Sequence, residues 1–222
     1  MTMPAKIYQI GGVGYDSNIY LIDDEVLTLV DAGTGTHSTN VKENLKMIGF
    51  DTSDIDLLVN THCHFDHAGG NRDFVEASGC KMAIHEIESS VLEKGDQLIS
   101  CASMFGKKLK TVKVTYVLKR GNTLDLGNLS LHVLYTPGHT AGSICLHDPN
   151  KQVLFSGDTV FCGGVGRTDL PTSDQEMFIQ SLKQLNDLNV KKLYPGHGPF
   201  AEQDGKKYIT DAVQLMSSWG ET

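Results

Sequence analysis

The run Thr61-His62-Cys63-His64-Phe65-Asp66-His67-Ala68-Gly69-Gly70 places four metal-capable side chains, His62, His64, Asp66 and His67, within six positions. On an extended stretch successive side chains point to opposite faces, so His62 and His64 share one direction and Cys63 takes the other. The turn that follows brings Asp66 and His67 round to another side, where they can hold a second ion. Neutral imidazoles suit zinc, iron and nickel, and a carboxylate suits harder ions. The plain alternative is a histidine-rich surface loop. Against it, three histidines and an aspartate gathered at a strand exit and closed by Gly-Gly are a costly arrangement without ions. Two dications about 3.5–4 Å apart lower the pKa of a shared water from about 15.7 to roughly 7, which supplies hydroxide at neutral pH without a separate general base. Metal-assisted hydrolysis is one chemistry that such residues can do, and the ligand types alone leave oxygenase chemistry open beside it.

The flanking segments that must hold this loop read as strands and helices in alternation. Ile7-Tyr8-Gln9-Ile10, Asn18-Ile19-Tyr20-Leu21-Ile22 and Val26-Leu27-Thr28-Leu29-Val30 are β-branched and aromatic runs bounded by Gly and Asp clusters. A helix fits residues 38 to 48, with Val41, Leu45 and Ile48 on one face, Ser38 or Thr39 as cap and Gly49 as its end. Leu57-Leu58-Val59-Asn60 reads as a short buried strand that delivers the chain into the histidine cluster. Next come a helix over 71 to 78, a strand at Lys81-Met82-Ala83-Ile84, and a mostly helical, irregular stretch from 86 to 110. Gly127-Asn128 between Leu124-Asp125-Leu126 and Leu129-Ser130-Leu131 is a two-residue hairpin turn. Strands follow near 130–135, 142–147 and 152–156, then a helix over 174 to 186 with Phe178, Leu182 and Leu185 on one face. A last strand, Lys192-Leu193-Tyr194, precedes a helix over 205 to 218. Strands bunched in both halves with helices between them suit a layered α/β sandwich, read as one domain over residues 1–222.

Composition narrows the class. With 222 residues, 40% of them hydrophobic, the chain can bury a sizeable core without staples. A net charge of −8 argues against a partner whose phosphates need a basic stripe, so no nucleic acid is expected. The densest basic run, Lys107-Lys108-Leu109-Lys110, reads as a solvated face. The five cysteines (63, 80, 101, 145 and 162) are odd in number and irregular in spacing. They give no disulfide framework and point to a reducing cytoplasm. Met1-Thr2-Met3-Pro4-Ala5-Lys6 lacks the apolar stretch of a signal peptide, and no run of about 18 apolar residues exists, so no membrane span is expected. The expected partner is a small-molecule substrate.

His-x-His-x-Asp-His followed by Gly-Gly resembles the hallmark of the metallo-β-lactamase superfamily. The remaining elements of that pattern stand in order: Asp31 in Val30-Asp31-Ala32-Gly33, His139 in Thr136-Pro137-Gly138-His139-Thr140, Asp158 in Ser156-Gly157-Asp158-Thr159, and His197 in Pro195-Gly196-His197-Gly198. Taken singly, His139 or His197 is an ordinary histidine beside a glycine turn. Taken together after the first motif, they complete a site. The resemblance covers residues 7 to 200 or so. It implies an α/β fold, the metallo-β-lactamase αββα four-layer sandwich, with the ligand loops gathered at one edge of the two sheets. It also implies two divalent metal ions, zinc foremost, with iron or manganese as alternatives. By the same resemblance one ion takes His62, His64 and His139, the other takes Asp66, His67 and His197, Asp158 bridges them, and Asp31 supports the ligands from behind. His37, His85, His132 and His147 lack ligand-like neighbours, and Cys63 and Cys162 are not expected to bind metal.

Within the superfamily, Asp158 stands where true metallo-β-lactamases usually carry Cys, which argues against antibiotic hydrolysis. Phe161 stands where quorum-signal lactonases often carry a catalytic Tyr, which weakens a lactonase reading. The run from Gly157 to Pro171, with Gly166-Arg167-Thr168-Asp169 inside it, resembles small glyoxalase II-type hydrolases of the hydroxyacylglutathione hydrolase branch. Persulfide dioxygenases share a similar stretch and the same ligand types, with one iron and oxygen. The resemblance implies thioester hydrolysis by a metal-bridging hydroxide, with Asp66 orienting it and a thiolate of pKa near 8.5 leaving without a general acid. A non-catalytic metal-binding module is the alternative of a different class. Arg167 either meets a substrate carboxylate or pairs with Asp169. About 25 residues follow His197, too few for the helical region with which standard glyoxalase II enzymes grip glutathione. The expectation is weak discrimination among thiol carriers.

Overall fold

Leu57, Leu58 and Val59 are all buried, yet they face two different apolar clusters: Leu58 packs in one, Leu57 and Val59 in the other. Side chains of a strand alternate between faces, so such a strand is covered on both sides. Tyr20 and Ile22 against Leu21, and Val153 and Phe155 against Leu154, divide in the same way. In the computed structural model, which describes residues 4–219, these strands form two sheets. The start of the N-terminal segment considered above for a leader, residues 1–3, lies outside the described residues.

The first sheet runs β1 (Lys6–Gln9), β2 (Tyr20–Asp23), β3 (Thr28–Val30), β4 (Leu57–Val59), β5 (Lys81–His85), β6 (Tyr116–Leu118), each beside the next. The second has β7 (Thr123–Asp125), β8 (Ser130–Tyr135), β9 (Ile144–Asp148), β10 (Val153–Gly157) and β13 (Lys192–Pro195), in the order β13-β10-β9-β8-β7. A separate hairpin pairs β11 (Val160–Phe161) with β12 (Gly164–Val165). The apolar cluster between the sheets includes Tyr20, Val59, Leu131, Leu146 and Phe155. Outside the first sheet lie α1 (Ser38–Met47), α2 (Phe65–Ala68), α3 (Asn71–Ser78) and α4 (Ser89–Lys94), contributing Leu45, Phe74 and Leu92. Outside the second lie α5 (Gln175–Asn186) and α6 (Gly205–Trp219), contributing Phe178, Leu182 and Ile209. The result is the expected four layers, helix, sheet, sheet, helix.

Most elements form where the pattern puts them, with instructive exceptions. Gly127 has φ +115 and Leu126 N–H donates to Leu129 O at 2.9 Å, so Gly127-Asn128 is the two-residue turn expected of it. Neither Ser38 nor Thr39 caps α1: the N-cap position is His37, with no side-chain cap bond, because its ring is engaged by Asp16 at 2.8 Å. Residues 86 to 110 are not mostly helical. They hold only α4 and a single 3-10 turn at Ala102–Phe105. Gly95 and Gly106 stop both at positive φ, 63° and 61°. Between them the Gln97 side chain replaces helix bonds, accepting from Leu109 N–H at 2.8 Å and donating to Leu109 O at 3.2 Å. Strand β6, not foreseen, is an edge strand with two of its three residues exposed. No described helix is long and apolar enough to cross a membrane.

Leu58 is fully buried under the helices of the first sheet. Its truncation in Leu58→Ala should cost about 2–5 kcal/mol, transfer plus cavity. Urea unfolding measures it, and a loss below about 1 kcal/mol would show that the site collapses or that this layer is loosely packed.

Candidate metal centre

Strand direction gathers the functional loops. β3, β4 and β5 run parallel in the first sheet. In the second, β10 and β13 are parallel, and β9 is antiparallel to both β8 and β10, so β8, β10 and β13 share one direction. Asp31 follows β3, His62 follows β4, His139 follows β8, Asp158 follows β10 and His197 follows β13. All five leave the carboxyl ends of strands. Backbone bonds stitch the two sheets here: Ile144 N–H donates to Thr61 O at 2.9 Å, and Asn18 N–H to Gly196 O at 2.6 Å.

The structure brings all seven expected site residues together. His62 Nε2 lies 3.1 Å from His64 Nδ1, which lies 2.9 Å from His139 Nε2. His67 Nε2 lies 3.3 Å from His197 Nε2, and Asp66 Oδ2 is 3.2 Å from that same nitrogen. Asp158 reaches both groups, with Oδ1 3.2 Å from His67 Nε2 and Oδ2 3.5 Å from both His139 Nε2 and His197 Nε2. His62-His64-His139, His62-His67-Asp158 and Asp66-His67-His197 are each compact enough to hold an ion. Cys63 points away, as alternation requires. It is buried, and burial, then the neighbouring Glu88 carboxylate, pushes its thiol well up.

Burial, followed by the neighbouring imidazoles, drives His62 well below the ordinary histidine range; burial and His139 bring His64 down to about 3. Both rings are therefore neutral at pH 7 and offer lone pairs. Burial works in the same direction on His67, but Asp158, Asp31 and Asp66 outweigh it and raise that ring well above its usual value. Burial would raise Asp158, yet His67, His139 and His197 hold it ionised. One side of the centre is a nest of neutral donors, and the other is a knot of carboxylates around one histidine.

Outer bonds fix the rings. His139 Nδ1–H donates to Arg167 O at 2.8 Å, and His67 Nδ1–H to Asp31 Oδ2 at 2.8 Å, which turns the Nε2 atoms inward. Asp31 also accepts from Thr61 N–H and Thr61 Oγ1–H, both at 2.8 Å. It does so from φ +60, a conformation that disfavours most side chains but that Asp tolerates. Gly196 is a contact requirement: a Cβ there would lie 2.2 Å from Asp158 Oδ1.

Sequence reasoning missed Asn18, read above only as part of a strand. Its Nδ2 lies within bonding distance of Pro195 O, at 3.0 Å, and Gly198 O, at 2.8 Å, so it brackets the loop that carries His197. A polar side chain at the head of an apolar strand was the available signal. The walls were not legible either. A cleft of about 360 Å³ over the centre is lined by Cys101, Met104, Phe105, Phe161, Val165 and Leu170 among others. Arg167 stands in that wall with its side chain forked onto Asp169, at 2.6 and 2.7 Å. Of the remaining histidines, His85 stacks on Tyr135 at 4.8 Å, and His132 sits 3.4 Å from Thr123 Oγ1.

The metallo-beta-lactamase superfamily model matches residues 12–197. The chain belongs to that superfamily. Within the superfamily it is similar to a probable metallo-hydrolase of Methanocaldococcus jannaschii, 38% identical over 91% of this chain and 97% of the relative. It is 31% identical to the acyl-coenzyme A thioesterase MBLAC2 of Gallus gallus, over 83% of this chain and 73% of that one. A hydroxyacylglutathione hydrolase of Hyphomonas neptunium is 36% identical over 64% of this chain and 48% of its own length. Among solved structures, TTHA1623 in a di-iron-bound form superposes with TM-score 0.74 at 31% identity, covering 86% of this chain and 92% of that one. The chain is thus a metal-dependent hydrolase of the superfamily, and its His/Asp cluster is a centre for divalent metal ions.

Asp31→Asn keeps the size of the side chain and removes the carboxylate that orients His67. Loss of such an outer partner typically costs about 10–100-fold in metal affinity. Chelator competition on the variant should show a loss of that order, and unchanged affinity would remove Asp31 from the account.

Proposed function

We propose that the protein hydrolyses thioesters of small acyl groups, as a glyoxalase II-type enzyme, with two divalent cations, zinc foremost, held by His62, His64 and His139 on one side and Asp66, His67 and His197 on the other, and Asp158 between. The observation that carries the reading is the convergence of ring nitrogens 2.9–3.3 Å apart. The lone pairs of the neutral His62, His64 and His139 rings, turned toward one another, repel unless a cation sits among them. Donor atoms around a tetrahedral ion at about 2.0–2.1 Å stand roughly 3.3 Å from each other, so the donor set fits. When bound, the cations supply water acidified to a pKa near 7 and polarise the scissile carbonyl.

The chain's own residues do the rest. Asp66, partly exposed at the floor of the cleft, orients the attacking water by accepting its hydrogen. Phe105, Phe161, Val165 and Leu170 keep bulk water from the acyl group. Among the described residues no Lys, Glu or Tyr lines the cleft, and burial pushes its one thiol, Cys101, up, so a leaving group finds no acid matched to neutral pH. A thiolate, with an ordinary pKa near 8.5, departs without one, whereas an amine or alkoxide does not. Thioester chemistry is also what the names of the acyl-coenzyme A thioesterase and hydroxyacylglutathione hydrolase relatives indicate. Phe161 lies edge-on to His197 with ring centroids 5.9 Å apart and offers no hydroxyl for lactone opening. Five unpaired cysteines favour a reducing cytoplasm as the place of action.

Asp158→Ala removes the carboxylate shared by both groups. Turnover should fall by about a thousandfold or more, several kcal/mol of transition-state stabilisation, and bound metal should fall with it. Normal turnover with undiminished metal would end the bridging role. Reaction class is decided under nitrogen: a lactoyl thioester should be cleaved at the same rate with and without oxygen. Iron-dependent oxygen uptake with a persulfide, and no anaerobic thioester cleavage, would replace the hydrolase by a mononuclear-iron persulfide dioxygenase.

A further inference from the structure

On the other side of Phe105 from the catalytic cleft lies a second cavity of about 220 Å³. Phe105 lines both cavities, and Phe65, the residue between His64 and Asp66, lines the second. Tyr15 stands over it, exposed to 81% and edge-on to Phe105 at 6.3 Å. His37, Thr36 and Lys107 line the same cavity. Asp16 organises them. It is buried, and it accepts from Thr34 N–H at 2.8 Å, Thr34 Oγ1–H at 2.5 Å and His37 Nδ1–H at 2.8 Å. These bonds use the carboxylate inwardly and leave Nε2 as the uncommitted nitrogen of His37. Holding the Asp16 loop would need only Thr34. It would not require an imidazole and an ammonium open to one cavity beside the cleft.

The charges around it point the same way. In the basic run Lys107-Lys108-Leu109-Lys110, Lys110 is paired with Asp73 at 2.7 Å. Arg167, on the wall of the first cleft, is paired with Asp169. Lys107 has no ion pair among the described residues. An unpaired cation, a carboxylate-held imidazole and two aromatic rings, in a chain of net charge −8, make a site for an anion joined to an apolar or flat group.

We propose that this second cavity binds the anionic part of the thiol carrier. A phosphate or carboxylate meets Lys107, a hydroxyl or N–H beside that anion donates to His37 Nε2, the connecting chain lies along Tyr15 and Phe105, and the acyl group enters the cleft beside Phe161. The inference rests on the thioester reading above. It changes the expectation drawn from the short C-terminal region: discrimination among carriers comes from residues at 15, 37 and 107 instead.

The test compares kcat/KM for one acyl group carried by coenzyme A, 3′-dephospho-coenzyme A, glutathione and N-acetylcysteamine, in the wild type, Lys107→Ala and His37→Gln. The wild type should favour at least one anionic carrier over N-acetylcysteamine by tenfold or more. Each variant should reduce that ratio about fivefold, mainly through KM, as lost ground-state binding does. Whichever anionic ester loses most names the source, nucleotide phosphate or peptide carboxylate. No preference in the wild type, or an equal loss on every ester including N-acetylcysteamine, would overturn the inference. If no ester is hydrolysed at all, the thioester reading fails separately. Calorimetric binding of free coenzyme A and glutathione then still decides the cavity, because Lys107→Ala must weaken one of them about fivefold or the site is not there.

Discussion

Everything in this molecule answers to one constraint: imidazole nitrogens and carboxylate oxygens that repel or compete in isolation are held within about 3.5 Å of each other, five of the seven side chains out of water. Burial keeps His62 and His64 neutral, and the carboxylates favour the charged form of His67. Without ions such a cluster works against folding, since buried charges and facing lone pairs are among the costlier things a core can contain. With divalent cations in place the same contacts become ligand bonds, and the desolvation that was a burden makes each electrostatic interaction stronger.

The two-sheet architecture makes that arrangement possible. The strands that lead into the site loops, β3, β4, β8, β10 and β13, point their carboxyl ends at one edge. Rigid strands deliver loops whose side chains cannot retreat from each other. The outer bonds then choose which nitrogen faces in, Asp31 for His67 and the Arg167 carbonyl for His139, while Asn18 brackets the backbone of the His197 loop. Selectivity is left to softer material. The 3-10 turn at Ala102–Phe105, between the stops at Gly95 and Gly106, supplies Met104 and Phe105 to the apolar wall, and Phe105 borders both the reacting cleft and the neighbouring cavity.

The centre was legible in the sequence because four of its side chains stand in one run and the other three each sit beside glycine at a strand end. The layers were legible because double-sided burial leaves continuous apolar runs such as Leu57-Leu58-Val59. Strand β6 escaped notice because an edge strand of three residues, two of them exposed, carries almost no burial pattern. The stretch from 86 to 110 misled because its residues favour helix, while Gly95, Gly106 and the Gln97 side chain decide locally against it. Tyr15, Asp16, His37 and Lys107 come from distant parts of the chain with no fixed spacing, and only the fold sets them around one cavity.

The most direct test of the central claim is the metal content of the protein purified without added metal and then titrated with zinc under chelator control. The account predicts saturation at two ions per chain. A gain in thermal stability should accompany each ion as it relieves the repulsion among the facing nitrogens. A protein that hydrolyses thioesters at full rate with one ion, or with none, would contradict it.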